Sequence, residues 1–357
     1  LHILKNELIK NENIKFIKKP DINLFESQCL KNIDVDDQKI DKEAFLKDRK
    51  VVLEQWKTGR EAKSIEENAE FLSKQKNFSN LQSKVNKNIN GILIQPRCGV
   101  ATIKEQLNLF RSFKYVGCKV LSYQVDSLTR NNIYELIDSE IKNSQLQNKS
   151  TLNGFPIINH GVNKLRRITS DINIPLQTRH STRDPRLLSE ISFAGGVTSY
   201  EGGAICYNIP YYKNYPLDEA IKNWQYVDYL SGYYFENYGI VLDREFFGTL
   251  TGTLIPPSIA IVICIFEAIL AAQQGVKSVS LGYAEQGNRT QDIAAIRVMA
   301  KLSKEILSNL GYSDVNISTV FHQYMAAFPS IPHMAEELIL ESAVTAKLSG
   351  ATRILTK

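Results

Sequence analysis

The chain predicts an α/β fold: a closed (β/α)8 barrel of the TIM type with an N-terminal helical extension. Three observations predict it. First, four helical stretches in the second half each stop at a glycine suited to the C′ position, at Gly239, Gly275, Gly311 and Gly350, and a β-branched run follows. Second, helix and strand patterns alternate so often that a parallel sheet must close on itself rather than stay open. Third, neither GxGxxG nor a Walker signature occurs, although an open doubly wound sheet remains the alternative.

Residues 1–40 are rich in Lys, Asn, Ile and Asp and have weak periodicity, so they read as an extension. Residues 41–90 form a helical lead-in, because DKEAFLKDRKVVLEQW and EENAEFLSKQ carry amphipathic spacing. The barrel proper spans 91–357. Its first half offers the strands ILIQPR (92–97), VLSYQVD (120–126), FPIINHG (155–161) and IPLQTRH (174–180), with helices through Phe113 and about Asn143 and a short helical link before 174. VTSYEGG, IVLDREFF, VKSVSLGY, VNISTVFH and TRILTK follow. Helices run from about Leu217 to Asn237, from Pro257, from Thr290 and after Pro332. That makes nine candidate strands for eight places, so one lies outside the barrel.

Composition excludes several classes. The net charge of +5 comes largely from scattered lysines in the first ninety residues, with no basic stripe interleaved with aromatics, so no nucleic-acid partner is expected. The apolar run Ile259–Phe266 is too short for a membrane span, and the N-terminus has no signal-like apolar core. Five widely spaced cysteines without a CxxC pair favour reduced thiols and a cytoplasmic location over a disulfide framework or zinc site. The five histidines show neither HExxH nor HxH spacing, so no metal site is expected on this chain.

Chemistry concentrates between Arg179 and Asn214. Arg179 offers a planar fork for a carboxylate, with His180 beside it. Glu201 stands among glycines 195, 196, 202 and 203, which permit close backbone approach or positive φ, and it suits an ammonium group or proton transfer. Tyr207 and Tyr211 add hydroxyls. Arg97, Arg130 and Asn153 fall near other strand ends, as do Arg244-Glu245, Glu285 and His322-Gln323. In a barrel that end carries the active site. Three converging arginines would clamp an anion such as a dicarboxylic amino acid. His322 reads as a core or supporting histidine, and Tyr226, Tyr229, Tyr233 and Tyr234 as packing residues with polar tips at the surface.

From about Lys39 onward the chain resembles the epsilon (large) subunit family of adenosylcobalamin-dependent glutamate mutase, or methylaspartate mutase. The blocks that carry the resemblance include QPRCGVA (95–101), TLNGFP (151–156), IPLQTRHST (174–182), GGVTSYEGGAICYNIPYYKN (195–214), LTGTLIPPS (250–258) and TVFHQYMAAFP (319–329). The resemblance implies a radical carbon-skeleton isomerisation of L-glutamate to threo-3-methyl-L-aspartate within glutamate catabolism. It further implies a small cobalamin-binding partner subunit that holds the corrin, in a heterotetramer of two large and two small subunits. By the same resemblance, Arg97, Arg130, Arg179, His180, Tyr207 and Tyr211 bind substrate. Glu201 binds it too and acts catalytically, meeting the amino group. Gly99, Asn153, Pro210, Phe328 and Lys357 line the adenosyl site.

The sequence departs from the family pattern at RHSTRD, where Ser181 stands for glycine and Arg183 for proline. It departs also at REFFGTLTG (Phe246 and Thr249 for prolines) and at GYAEQGN (Ala284 and Gln286). Family members continue beyond the position of Lys357, so the chain reads as truncated at its C-terminus. The alternative to a working large subunit is a non-catalytic, truncated or diverged barrel that binds an amino acid or the cobalamin-carrying partner.

Overall fold

The computed structural model describes residues 38–88, 91–212, 214–248 and 255–356. Most of the 1–40 extension, residues 250–254 of one family-like block, and Lys357 lie outside the described residues.

The lead-in consists of α1 (Lys42–Glu54), α2 (Ile65–Ser73) and α3 (Phe78–Asn86). Each starts where a side-chain oxygen takes up otherwise unpaired amides: Asp41 accepts from Glu43 and Ala44, Ser64 from Glu67, and Asn77 from Asn80. The lead-in is stitched to the barrel by a buried fork. Arg49 donates to both carboxylate oxygens of Glu190 at 2.9 and 3.0 Å, and Tyr226 donates to the same group at 2.6 Å.

Eight parallel strands form one sheet in the order β1-β8-β7-β6-β5-β4-β3-β2. They are β1 (Leu93–Pro96), β2 (Leu121–Gln124), β3 (Leu176–Arg179), β4 (Ser199–Glu201), β5 (Asp243–Phe247), β6 (Ser278–Ala284), β7 (Asn316–His322) and β8 (Arg353–Thr356). The Gln124 amide donates to the Cys98 carbonyl at 2.6 Å, which draws the β1 and β2 ends together and nearly closes the barrel. The surrounding helices are α4 (Ile103–Tyr115), the one-turn α5 (Ser127–Arg130), α6 (Ile137–Gln147), α7 (Ile157–Ile172), α8 (Arg186–Ala194), α9 (Leu217–Tyr238), α10 (Pro257–Gln273), α11 (Arg289–Asn309) and α12 (Pro332–Ser349). The four glycine stops read from the sequence all adopt positive φ, between 68° and 97°.

The ninth candidate strand is not a strand. FPIINHG opens α7, whose apolar residues at 158, 162, 165, 168 and 172 recur at helical spacing and are buried. Gly161, at φ 79°, kinks the helix one turn in. The tyrosines of α9, Tyr226, Tyr229, Tyr233 and Tyr234, pack as expected, but the Tyr226 hydroxyl turns inward onto Glu190 rather than to the surface.

The barrel lumen is polar, whereas branched apolar side chains fill most (β/α)8 cores. At its lower end Asp243 accepts from Ser199, Ser278 and Ser280 at 2.9 Å each. Helix α3 lies across that end. It takes Thr198 Oγ1 on the Phe78 amide and inserts Gln82 between Ser280 and Arg353. Among the described residues no helix is long and apolar enough to cross a membrane.

Candidate active site

At the C-terminal ends of the strands one cavity is lined by Arg97, Arg130, Arg179, His180, Glu201, Tyr207 and Tyr211, the seven residues singled out in the sequence. Gln124, Ser181, Phe247, His322 and Met325 complete it. Local structure explains each placement. Arg97 directly follows β1, and Arg179 and Glu201 end neighbouring strands. Arg130 ends α5, which forms because Asp126 caps it with bonds of 2.9 and 3.0 Å to the Leu128 and Thr129 amides. A π-helical segment, Ala204–Asn208, presents Tyr207.

The three arginines differ in commitment. Arg179 is buried and committed to protein partners: Nη1 donates to Gln177 and to Glu245, each at 2.9 Å, and Nη2 donates to Glu201. Burial opposes its charge, yet Glu201 and Glu245 outweigh it and hold Arg179 above the usual guanidinium range. Among the described residues Arg97 donates only to the sulfur of Met325, at 3.0 Å, a weak acceptor. Burial, then the nearby Arg179, lowers its pKa. Arg130 reaches Ser181 Oγ at a long 3.4 Å, and its buried Nε has no partner among the described residues. Two forks thus face the cavity without a carboxylate among those residues. Desolvated donors held this way are costly unless an anion meets them.

Glu201 is buried against Arg179. Burial raises its pKa, Arg179 pulls it back, and Glu245 pushes it up further, so the net direction is upward. Tyr207 is fully buried; burial and Glu201 keep its hydroxyl well above the ordinary phenol range. Tyr211 is 41% exposed and stands at the rim, its hydroxyl pushed up to about 12 by burial and Glu201. His180 accepts from the Thr182 amide at Nδ1 and stacks on Trp224 at 5.6 Å, and burial and Arg244 keep it neutral. Arg183, at a family proline, lies over the Tyr212 ring at 5.1 Å.

The sequence places Glu245 and His322 at strand ends but gives Glu245 no role, and Glu245 is the centre of the site. Glu245 receives Arg179 and His322 on one oxygen, at 2.9 and 3.1 Å, and Gln177 and Arg353 on the other, at 2.8 and 2.6 Å. Burial disfavours its charge, but Arg179 and Arg353 prevail and hold it well below the usual carboxylate range. His322 stacks flat on Phe247 at 3.9 Å, and burial presses its pKa to about 3. We therefore expect the His322 ring protons to show no titration between pH 5 and 8 by NMR; a midpoint near 6.5 would contradict this environment. The available signal was the period of two in DREFF, which sends Glu245 and Arg244 to opposite faces. Arg244 accordingly points away from the lumen, pairing with Asp228 at 2.6 Å and with the carbonyls of Tyr200 and Gly202. Glu285 also leaves the site, its carboxylate binding the Tyr324 amide and Ser342.

The remaining site candidates surround the cavity without lining it. Gly99 is a close-packed position, since a Cβ there would stand 2.4 Å from the Gln124 carbonyl. Asn153 is exposed and accepts from the Ser127 amide at 2.8 Å. Pro210 lies in the turn Ile209–Tyr211, and the half-buried Phe328 lies on the loop after β7. Packing accounts for the glycines around Glu201: a Cβ at Gly195 would meet Leu165, and one at Gly202 would meet Trp224 and Tyr207.

Fold and site together define a (β/α)8 barrel with an arginine-lined pocket at the C-terminal strand ends. Residues 72–357 match the family model of the methylaspartate mutase E chain (MutE), and the chain belongs to that family. It is 44% identical over 323 residues to the glutamate mutase epsilon subunit of Escherichia coli O157:H7, covering 90% of this chain and 66% of the relative. The counterpart from Desulfitobacterium hafniense is 44% identical over 91% of this chain and 67% of its own length. That from Haloarcula marismortui is 41% identical over 85% and 61%. The chain thus spans about two thirds of the length of the curated relatives it matches. Among solved structures, a Thermotoga maritima phospho-2-dehydro-3-deoxyheptonate aldolase aligns with 74% of this chain and 59% of its own, at 11% identity and TM-score 0.44, too distant to inform function.

Proposed function

We propose that the chain is the substrate-binding barrel of a glutamate mutase, acting with a small cobalamin-binding subunit to interconvert L-glutamate and threo-3-methyl-L-aspartate. One observation carries the reading: two guanidinium groups, Arg97 and Arg130, face the cavity without carboxylate partners among the described residues, beside an internal Arg179–Glu201 pair. That pair mirrors the charges of an α-amino acid. A substrate ammonium turns to Glu201 and an α-carboxylate to Arg179, replacing the internal bond, while the open forks take the second carboxylate. Glu201, with its pKa raised, holds or receives a proton from the substrate nitrogen. Tyr207, Phe247 and the Glu245–His322 pair close the floor and keep water from the reacting carbons.

The resemblance assigns the adenosyl group to Gly99, Asn153, Pro210 and Phe328; of these the exposed Asn153 and the half-buried Phe328 ring would offer contacts to it, whereas Gly99 serves the packing of its own loop against the Gln124 carbonyl. When bound, adenosylcobalamin supplies a carbon-centred radical that takes a hydrogen atom from the substrate.

The test is proton NMR of L-glutamate mixed with this chain, the small subunit and adenosylcobalamin. The expected result is a methyl doublet of 3-methylaspartate that requires every component. L-glutamate binding by calorimetry without product would instead make the barrel a non-catalytic amino-acid binder. No binding would overturn the assignment.

A further inference from the structure

A second carboxylate, outside the cavity, holds the segment that carries Tyr207. Glu267 lies on α10, is 2% exposed, and does not line the pocket. One of its oxygens accepts from the amides of Ile205 and Cys206 at 2.7 and 2.9 Å. These are opening amides of the π-helical segment Ala204–Asn208, and segments of this rare geometry concentrate at functional sites. Gly203 packs directly on the same carboxylate, where a Cβ would stand 2.4 Å from it. The far end of the segment is held independently, by Trp224 Nε1 donating to Asn208 at 3.1 Å. Tyr207 lies between these two pins.

We propose that Glu267 is a positioning residue for the pocket: by anchoring the Ile205 and Cys206 amides it sets where the Tyr207 hydroxyl meets Glu201. The anchor stands on geometry alone; its consequence for ligand binding rests on the glutamate reading above.

A carboxylate is stronger in this role than a neutral acceptor, because its hydrogen bonds to backbone N–H are charge-assisted. Burial, opposed by the two amides, raises the Glu267 pKa to about 7. The groups facing it are Asp228 of α9, which pushes its pKa up and is paired with Arg244 of β5, and the thiols of Cys206 and of Cys264 on α10 itself. The anchor is therefore tightest above neutral pH and relaxes below it.

The test is hydrogen exchange in the full chain, with L-glutamate calorimetry as a second arm. In Glu267→Ala two buried amides lose their acceptor, so exchange at Ile205 and Cys206 speeds up about tenfold or more and L-glutamate affinity falls about tenfold. Glu267→Gln keeps an acceptor oxygen and restores both readings to within about threefold. It also removes the weakening of L-glutamate binding below neutral pH. A substitution that merely damaged packing would not be rescued by glutamine or change the pH profile. If the alanine variant does not fold, Gly203→Ala drives a methyl into the same carboxylate and gives the same exchange reading. Unchanged exchange at both amides overturns the anchor. Faster exchange with unchanged L-glutamate affinity overturns the positioning role. A wild-type chain that binds no L-glutamate counts against the glutamate reading only, since the exchange arm still decides the anchor.

Discussion

Arg179→Lys is expected to lower L-glutamate affinity by about 30- to 4,000-fold while leaving the barrel folded. This is the span that corresponds to about 2–5 kcal/mol for breaking one partner of a buried charge pair. The reason is shape rather than charge. Arg179 reaches Gln177, Glu245 and Glu201 at once because its donors lie in a planar fork. A lysine ammonium is a point and cannot meet all three, so it settles on one carboxylate and leaves the other buried and unpaired. The replacement also has no bidentate face to offer a substrate carboxylate. Calorimetry with L-glutamate, alongside far-UV circular dichroism to confirm folding, checks this. Affinity within a few-fold of wild type would remove Arg179 from the binding site.

Glu245→Gln produces the larger structural effect, an expected loss of about 3–5 kcal/mol in unfolding free energy, because breaking a buried ion pair strands its partners. Here the partners are Arg179 and Arg353, both buried and both held by this one carboxylate. The pH dependence has a definite sign. Glu245 has a folded-state pKa well below its ordinary value, so its contribution is present above the ordinary carboxylate value and is lost as pH falls toward the folded one. Urea unfolding from pH 7 down to pH 3 should show wild type and variant converging on acidification. Curves that stay parallel would show that Glu245 is not the charge that neutralises the lumen.

The strand pattern and the glycine stops were legible because each is a local signal with one physical cause. The ninth strand was misread because a short apolar run bounded by Pro156 and Gly161 suits a buried strand as well as a helix start. Extending the window to Ile172 would have revealed the helical repeat. Much of the pocket's polar ring was legible because Arg179, His180, Glu201, Tyr207 and Tyr211 crowd into one short span; a strand-end position alone did not discriminate, since Arg244 and Glu285 share it and turn away from the cavity. The central role of Glu245 was not legible, since a barrel strand is covered on both faces and the alternation in DREFF separates Glu245 from Arg244 without marking which of them looks inward. Glu267 was hidden further, in a mostly apolar helix where its amide partners lie some sixty residues away in sequence.

The helix laid across the lower end of the barrel, with Gln82 driven into the lumen, has a consequence for traffic. With the base filled, the chamber formed by the described residues opens by a doorway at the strand ends, where Tyr211 stands at the rim, so what enters there leaves the same way. If a companion subunit docks over that doorway, as the proposed function requires, it becomes the stopper. Loading must then precede sealing, and emptying must await its lifting. Turnover would be paced by the coming and going of the stopper as much as by chemistry inside. A barrel open at both ends would impose no such order.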